Sequence, residues 1–295
     1  MAGLTIAEEH VMGQGDIHLD IREVGKSFGG TRALDNVSIA INAGSVHAFV
    51  GENGAGKSTL GKIVAGVFPP DQGQLALRGE DVAFNSPREA LGRGIALVAQ
   101  EVAVVPQRTV AENVFLGNEP RRLGFVQRRA LRERFDRLVA DTGLAVPADA
   151  IVGSLPLAMQ QQVEILRALA RDAELIVFDE PTAALSATEV QRFHEIVRGL
   201  TAGGRTVILV SHFLGEVLTL ANTITVLRDG QVVKTSPASG ETEDTLVAAM
   251  LGRSVGRTYP PKQPPAADAP PALTVRDLTA AGVNGASLEV RAGEI

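Results

Sequence analysis

The sequence predicts an α/β fold in which a parallel sheet is joined to an antiparallel β lobe and a helical subdomain. Residues Ile17 to Ile41 alternate apolar and polar in two bursts, which is typical of paired antiparallel strands. From Val46 the pattern becomes strand, helix, strand, as in an α/β layer. From about Thr109 to Arg171 the pattern is helical. One helix face there collects apolar side chains at i, i+4, i+7 and i+8, namely Leu131, Phe135, Leu138 and Val139.

Short apolar runs predict the remaining strands. Residues Glu174 to Phe178 and Arg205 to Val210 each end in a continuous apolar run, typical of buried parallel strands, and Ile95 to Val98 is a further strand. Thr223 to Leu227 and the residues from Gln231 form a hairpin across an Asp-Gly turn.

Composition limits the class of protein. A chain of 295 residues, 45% hydrophobic, can bury one large core, or one domain and part of another. There is no cysteine, so neither a disulfide framework nor a thiolate metal site is possible. A net charge of −6 argues against nucleic acid as the main partner. Residues 1–16 lack the apolar core of a secretory signal, and no apolar run reaches membrane-spanning length.

The octapeptide GENGAGKS at Gly51 to Ser58 fits the pattern of a phosphate-binding loop, between a predicted strand and a predicted helix. Backbone N–H groups would bind phosphate oxygens, Lys57 would reach the β- and γ-phosphates, and Ser58 would bind Mg²⁺. The alternative is a glycine-rich turn without a ligand. The residues predicted to contact ATP here are Gly51, Glu52, Asn53, Gly54, Ala55, Gly56, Lys57, Ser58 and Thr59.

Polar side chains follow three other strands at the edge where ligands of parallel α/β sheets bind. Asp179 and Glu180 follow an apolar strand, where Asp179 would hold Mg²⁺ and Glu180 would deprotonate the attacking water. Two acids at this place also fit a helix N-cap. His212 would sense the γ-phosphate, and Gln100 would reach Mg²⁺ or the water through its amide.

The end of the sequence repeats its beginning. Residues 257–271 form a proline-rich linker, with six prolines between Tyr259 and Pro271. The sequence after Pro271 echoes that of the first two strands, which predicts a second copy of the same domain begun in residues 272–295 and stopped before its phosphate-binding loop. Chance similarity between two amphipathic strand pairs is the alternative. The predicted domains are thus a tail (1–16), a nucleotide-binding domain (17–256, with a helical subdomain at about 101–171), the linker, and the incomplete repeat.

Together these motifs resemble, in order and spacing, the ATPase subunit of an ATP-binding-cassette (ABC) transporter. The resemblance covers residues 17–257 and implies that Phe28 stacks on adenine, although an ordinary core phenylalanine is the alternative. The segments around Ser27, Thr109, Gln160 and Glu180 are similar to those of bacterial monosaccharide importers of the ribose, xylose and galactose type, in which one polypeptide carries two tandem cassettes.

The resemblance implies a set of ligands and partners. The ligands are ATP and Mg²⁺, and the site is closed by a second cassette, tandem or homodimeric. Transmembrane permease subunits would bind the chain at the cytoplasmic face of the inner membrane, and a periplasmic sugar-binding protein would act indirectly. The sugar would be selected by the binding protein and the channel.

One segment departs from the family pattern. The Leu-Ser-x-x-Gln motif that faces the partner's ATP is here Leu155-Pro156-Leu157-Ala158-Met159. Pro156 has no hydroxyl or N–H to donate, and Met159 replaces an amide. Together with the incomplete repeat, this departure leaves open the alternative of an ATP-binding module with little turnover. A soluble twin-cassette ATPase acting on ribosomes or DNA is a separate alternative. Seven arginines between Arg121 and Arg137 fit a solvated helix face, or a contact with acidic lipid headgroups or a membrane partner.

Overall fold

The first layer of the fold is an antiparallel sheet of four strands. The computed structural model describes residues 16–99, 102–183, 185–252, 270–280 and 282–291. The strands of this sheet are β1 (Ile17–Phe28), β2 (Thr31–Asn42), β4 (Gln72–Leu77) and β5 (Glu80–Val82), in the order β2-β1-β4-β5. Ile21 of β1 pairs with Ile39 of β2, which confirms the antiparallel pair predicted from the alternation.

A second sheet of six strands carries the polar strand ends. Its strands are β3 (Val46–Val50), β6 (Ile95–Val98), β9 (Leu175–Asp179), β10 (Thr206–Val210), β11 (Thr223–Arg228) and β12 (Gln231–Pro237), in the order β12-β11-β3-β10-β9-β6. All neighbours are parallel except β12, which returns from β11 as the predicted hairpin. Because parallel strands end at one edge, the residues after β3, β9 and β10 converge there.

Helices cover both faces of this sheet. They are α1 (Lys57–Val64), α2 (Pro87–Gly92), α3 (Val110–Val114), α4 (Arg128–Thr142), α5 (Leu157–Leu169), α6 (Ala187–Ala202), α7 (Leu214–Leu220) and α8 (Glu243–Leu251). Leu60 and Ile63 of α1 are buried in one core with Ile21 of the first sheet and Val177 of the second. A second core on the opposite face joins α3 to α8 with the same six-stranded sheet. The α1 helix, which begins within the phosphate-binding loop, is therefore fixed between two sheets.

The helical region differs from the prediction at one point. Helices α3 to α5 follow one another, and Leu131 and Phe135 of α4 are buried as expected. Between α3 and α4, however, β7 (Arg121–Arg122) and β8 (Phe125–Val126) form a small hairpin. Leu123 and Gly124 reverse the chain with φ values of 50° and 85°. Two of the seven arginines thus lie on a hairpin and not on a helix face.

The chain divides into two compact units between residues 253 and 254. In the second unit β13 (Pro271–Ala280) pairs antiparallel with β14 (Val283–Arg291), so Pro271, assigned to the linker from the sequence, begins a strand. Residues 257–269 of the predicted linker and residues 1–15 lie outside the described residues. No helix within the described ranges is long and apolar enough to cross a membrane.

Candidate nucleotide-binding site

The loop of residues 51–58 is held between β3 and α1 by close backbone contacts. A Cβ at Gly56 would lie 2.6 Å from the carbonyl oxygen of Ala33 on β2, and Gly56 has a left-handed φ of 99°. A Cβ at Gly51 would collide with the carbonyl oxygen of Leu227 on β11. Only glycine fits these positions without displacing a strand. The loop thus brings its backbone N–H groups to the start of α1, where the helix dipole favours an anion.

The side chains of this loop differ in exposure. Glu52, Asn53 and Gly54 form an exposed tip, Ala55 and Gly56 are buried, and Ser58 and Thr59 are half-buried. All nine residues predicted from the motif therefore lie in one continuous segment, which runs from the carboxyl end of β3 into the first turn of α1.

Lys57 is buried and folded back over the loop. Its side chain is 5% exposed, and Nζ donates hydrogen bonds to the carbonyl oxygens of Gly51 at 2.9 Å and Glu52 at 3.0 Å. Burial lowers the pKa of Lys57, and the negative charges of Glu180 and Asp179 oppose that shift. Both hydrogen bonds of Nζ go to neutral carbonyl groups, so the ammonium can also donate to an oxygen of a bound phosphate.

Ser58 and Asp179 bring the loop and the end of β9 together. Ser58 Oγ donates a hydrogen bond to Asp179 Oδ1 at 2.7 Å, and Asp179 is only 4% exposed. A hydroxyl and a carboxylate oxygen at this separation suit Mg²⁺, which prefers hard oxygen ligands and takes few from the protein. Among the described residues no group of three or more His, Cys, Asp and Glu could hold a metal ion alone. The donor set thus fits a magnesium ion that shares its coordination with phosphate oxygens.

Glu180 and His212 lie side by side at the ends of β9 and β10. His212 Nδ1 is 3.0 Å from Glu180 Oε2. Glu180 adopts a left-handed φ of 52°, and its N–H donates to the carbonyl oxygen of Val210 at 2.9 Å. This backbone bond fixes the turn after β9 against the end of β10. The helix N-cap alternative does not describe the two acids, because the helix that follows, α6, has Ser186 as its N-cap.

Phe28 lies at the end of β1 and is 46% exposed, which is inconsistent with the alternative of a core phenylalanine. Its ring meets Phe68 edge-on at 5.2 Å, and Lys26 Nζ lies 5.7 Å from the ring centroid. Phe28 pairs with Thr31, two residues before the Ala33 carbonyl that approaches Gly56. An exposed aromatic face therefore lies on the strand pair that contacts the phosphate-binding loop.

Of two further residues singled out in the sequence, Gln100 and Pro156, the structure describes only Pro156. Gln100 lies outside the described residues, although β6 before it ends with Val98 level with Phe178 of β9. Pro156 is the N-cap of α5, with no side-chain cap hydrogen bond. The helix therefore forms despite the proline, but its N-terminus has no capping hydroxyl.

Sequence reasoning missed one polar group next to this site. Glu216 of α7 is buried and accepts hydrogen bonds from Thr182 and Ser211, which follow Glu180 and precede His212 respectively. The only sequence signal was a carboxylate four residues after the histidine, within an apolar segment.

The pattern of the family described as "ABC transporter" matches residues 34–183, which include the loop and both acids. This chain belongs to that ABC transporter family. The recognised resemblance and the predicted fold are confirmed at this level. Solved structures agree: an ATP-binding cassette of an ABC transporter in its ADP conformation has a TM-score of 0.70 and 27% identity, and covers 80% of this chain and 99% of that one. A nucleotide-free cassette has a TM-score of 0.68, also at 27% identity, over 80% of this chain and 95% of its own.

Curated relatives of this ABC chain carry names from sugar import. "Ribose import ATP-binding protein RbsA" of Rhodococcus jostii (strain RHA1) is 45% identical over 94% of this chain and 55% of its own length. A "Putative ribose/galactose/methyl galactoside import ATP-binding protein" of Ralstonia nicotianae (strain ATCC BAA-1114 / GMI1000) is 42% identical over 95% of this chain and 54% of its own length. The chain thus spans about half the length of the curated relatives it matches.

Proposed function

We propose that this chain binds ATP with Mg²⁺ and hydrolyses it to energise the import of a monosaccharide. The observation that carries the proposal is the 2.7 Å hydrogen bond from Ser58 to Asp179, because it unites the phosphate-binding loop with the acidic end of β9. The Glu180–His212 pair at the adjacent strand ends adds a base and its partner to the same edge.

Each residue of the site has a distinct proposed role. The backbone of Gly51 to Ser58 and the Lys57 ammonium bind the phosphates, and Phe28 stacks on the adenine. Ser58 and Asp179 hold Mg²⁺, with Gln100 as a further ligand, and the ion neutralises charge on the phosphate oxygens when bound. Glu180 orients and deprotonates the attacking water, and His212, held beside it, contacts the γ-phosphate.

The transported compound and the partners are inferred from the relatives. At 40–46% identity, the relatives are named for import of ribose, galactose or methyl galactoside. The chain would bind transmembrane permease subunits at the cytoplasmic face of the inner membrane, and a periplasmic sugar-binding protein would act through them. A second cassette would complete each ATP site.

The register of the second unit supports a tandem second cassette. Leu19 pairs with Ile41, Ile21 with Ile39 and Val24 with Val37 in the first strand pair. The equivalent residues pair identically in the second, where Leu273 lies opposite Val290, Val275 opposite Leu288 and Leu278 opposite Ala286.

Both strand pairs also share one backbone irregularity. Glu23 and Asp277 have left-handed φ values of 52° and 54°. Each backbone N–H donates to a serine on the partner strand at 2.9 Å, to Ser38 and Ser287 respectively. A shared bulge with the same serine contact argues against chance similarity of two amphipathic hairpins.

A second candidate function is ATP binding with little turnover. Pro156 favours it, because the N-terminus of α5 presents neither a side-chain hydroxyl nor, at that residue, an N–H. In this family the equivalent segment faces the ATP of the partner cassette.

Equilibrium titration with a fluorescent ATP analogue, with and without Mg²⁺, tests the proposed binding. Lys57→Ala should weaken binding strongly, whereas Lys62→Ala, in the last turn of the same helix, should bind like the parent. Equal affinity of the two variants, or no dependence on Mg²⁺, would contradict the proposed site.

A further inference from the structure

A buried carboxylate joins the segments that carry Glu180 and His212. Glu216 of α7 is 7% exposed. Its Oε2 accepts hydrogen bonds from Thr182 Oγ1 at 2.8 Å and from Ser211 Oγ at 3.2 Å. Thr182 is two residues after Glu180, and Ser211 directly precedes His212. One carboxylate oxygen thus connects the ends of two neighbouring strands through side chains alone.

All three groups are shielded from water. Thr182 is 6% and Ser211 1% exposed. A buried hydroxyl or carboxylate without a partner is costly, and water does not reach these groups, so breaking these bonds would leave the groups unpaired. Ser211 is fixed further, because its N–H donates to the carbonyl oxygen of Phe49 at 3.3 Å and its Oγ accepts from the N–H of Phe213 at 3.0 Å. Together with the bond to Glu216, these two bonds of Ser211 therefore restrain the backbone on either side of His212.

The second oxygen of the Glu216 carboxylate lies near His194. Glu216 Oε1 lies 3.9 Å from His194 Nε2 of α6, and within the described part of the chain neither Oε1 nor the two ring nitrogens of His194 have a hydrogen-bond partner. Burial raises the pKa of Glu216 and lowers that of His194, which disfavours charge on both. An apolar side chain would serve the core better than this half-satisfied pair. Both hydrogen bonds that the Glu216 carboxylate accepts come from the segments that carry Glu180 and His212.

We propose that Glu216 is a positioning residue that holds Thr182 and Ser211 together and so sets the contact between Glu180 and His212. The proposal rests on the proposed function for its effect on hydrolysis, but the restraint itself needs no nucleotide. A shift of either strand end is then transmitted to the other, because both are bonded to the same oxygen.

Histidine side-chain NMR of the purified full chain tests the restraint directly. The chain has five histidines, so the His212 cross-peak can be assigned by substitution. Thr182→Val removes the hydroxyl at nearly constant volume and should shift the His212 cross-peak by more than its linewidth. Thr182→Ser keeps the hydroxyl and should leave it in place. Glu216→Gln, which keeps an acceptor, should move His212 less than Glu216→Leu.

A matched control separates positioning from general loss of stability. Thr225 is also buried and bonds His47 through its hydroxyl at 2.7 Å. Thr225→Val should therefore shift the His47 cross-peak and not that of His212. If Thr182→Val folds and leaves His212 unmoved, or if Thr225→Val moves it equally, Glu216 does not have this role. If Glu216→Leu fails to fold, the result for Thr182→Val alone decides whether Glu216 has the positioning role.

A second readout distinguishes this inference from the proposed function. Where the assembled transporter hydrolyses ATP, Thr182→Val should lower kcat with KM unchanged, and Thr182→Ser should restore it. A chain that does not bind the fluorescent ATP analogue would refute the proposed function and leave the His212 shift standing. If the parent chain binds the analogue but Thr182→Val leaves the His212 cross-peak in place, only the positioning role is refuted.

Discussion

His212 Nδ1 lies 3.0 Å from Glu180 Oε2, across the adjoining ends of two parallel strands. The contact depends on the backbone, because the N–H of Glu180 is bonded to the carbonyl oxygen of Val210, two residues before the histidine. Glu180 is mostly buried while His212 is 40% exposed, so the histidine presents the pair to solvent. This arrangement suits a base whose partner can reach a ligand bound at the neighbouring loop.

Glu180→Gln should separate binding from hydrolysis. The amide keeps the size of the side chain but cannot accept a proton from water, so ATP binding should persist. Turnover in the assembled transporter should fall about 10²–10⁴-fold, the usual contribution of a positioned base. Glu174→Gln, directly before the other end of β9, is the control and should keep full activity. Parental hydrolysis by Glu180→Gln would exclude the assignment.

Phe28→Ala should weaken nucleotide binding while leaving the fold intact, because the ring is half-exposed and is not part of either core. Aromatic stacking contributes about 0.5–1.5 kcal/mol in addition to the burial of surface area, so its loss should weaken binding roughly two- to twelvefold. Titration with the fluorescent ATP analogue measures it. Phe125→Ala removes another exposed ring, 79% exposed on β8, and should bind as the parent does. The same affinity for both variants would rule out stacking by Phe28.

The sequence was sufficient for features whose residues are contiguous. The phosphate-binding loop and the acids after β9 could be located because each follows an apolar run that is itself diagnostic. The role of Glu216 could not be found in this way, since it depends on β9 and β10 lying side by side. The β7–β8 hairpin was missed because Leu123 and Gly124 stand among arginines that suit a helix surface equally well. The bulge at Glu23 interrupts the alternation of β1, so the strand extends further than its pattern indicated.

Acid should destabilise the chain partly through His47. Burial lowers the pKa of His47 from 6.5 to about 3. The unfolded chain therefore binds a proton below pH 6.5 that the folded chain does not, and stability present above that pH is lost as the pH falls towards 3. Between about pH 7.5 and about pH 5, this residue alone should lower the free energy of unfolding by about 2 kcal/mol. Urea unfolding at the two pH values measures it.

His47→Gln isolates that contribution, because the amide has no proton to gain and can still bond the Thr225 hydroxyl. Its free energy of unfolding should change less between the two pH values than that of the parent, by about 2 kcal/mol. An identical pH dependence in the parent and the variant would mean that the acid sensitivity has another source, such as His18, whose pKa is lowered to about 4 by burial and by Arg78.

Pro156 should limit ATP hydrolysis by the purified chain. If two copies pair as cassettes of this family do, each presents Pro156 and Met159 to the γ-phosphate of the other, where the family has a hydroxyl and an amide. One missing donor in a water-poor site costs on the order of 3–4 kcal/mol, or roughly 10²–10³-fold in rate. The purified chain should therefore bind ATP with ATPase activity near background, rising when a full-length partner and membrane subunits are supplied. Pro156→Ser places a hydroxyl at the N-cap of α5 and, combined with Met159→Gln, should raise the activity of the chain alone. Steady-state ATPase of the parental chain that is robust and is abolished by Glu180→Gln would show that Pro156 is tolerated.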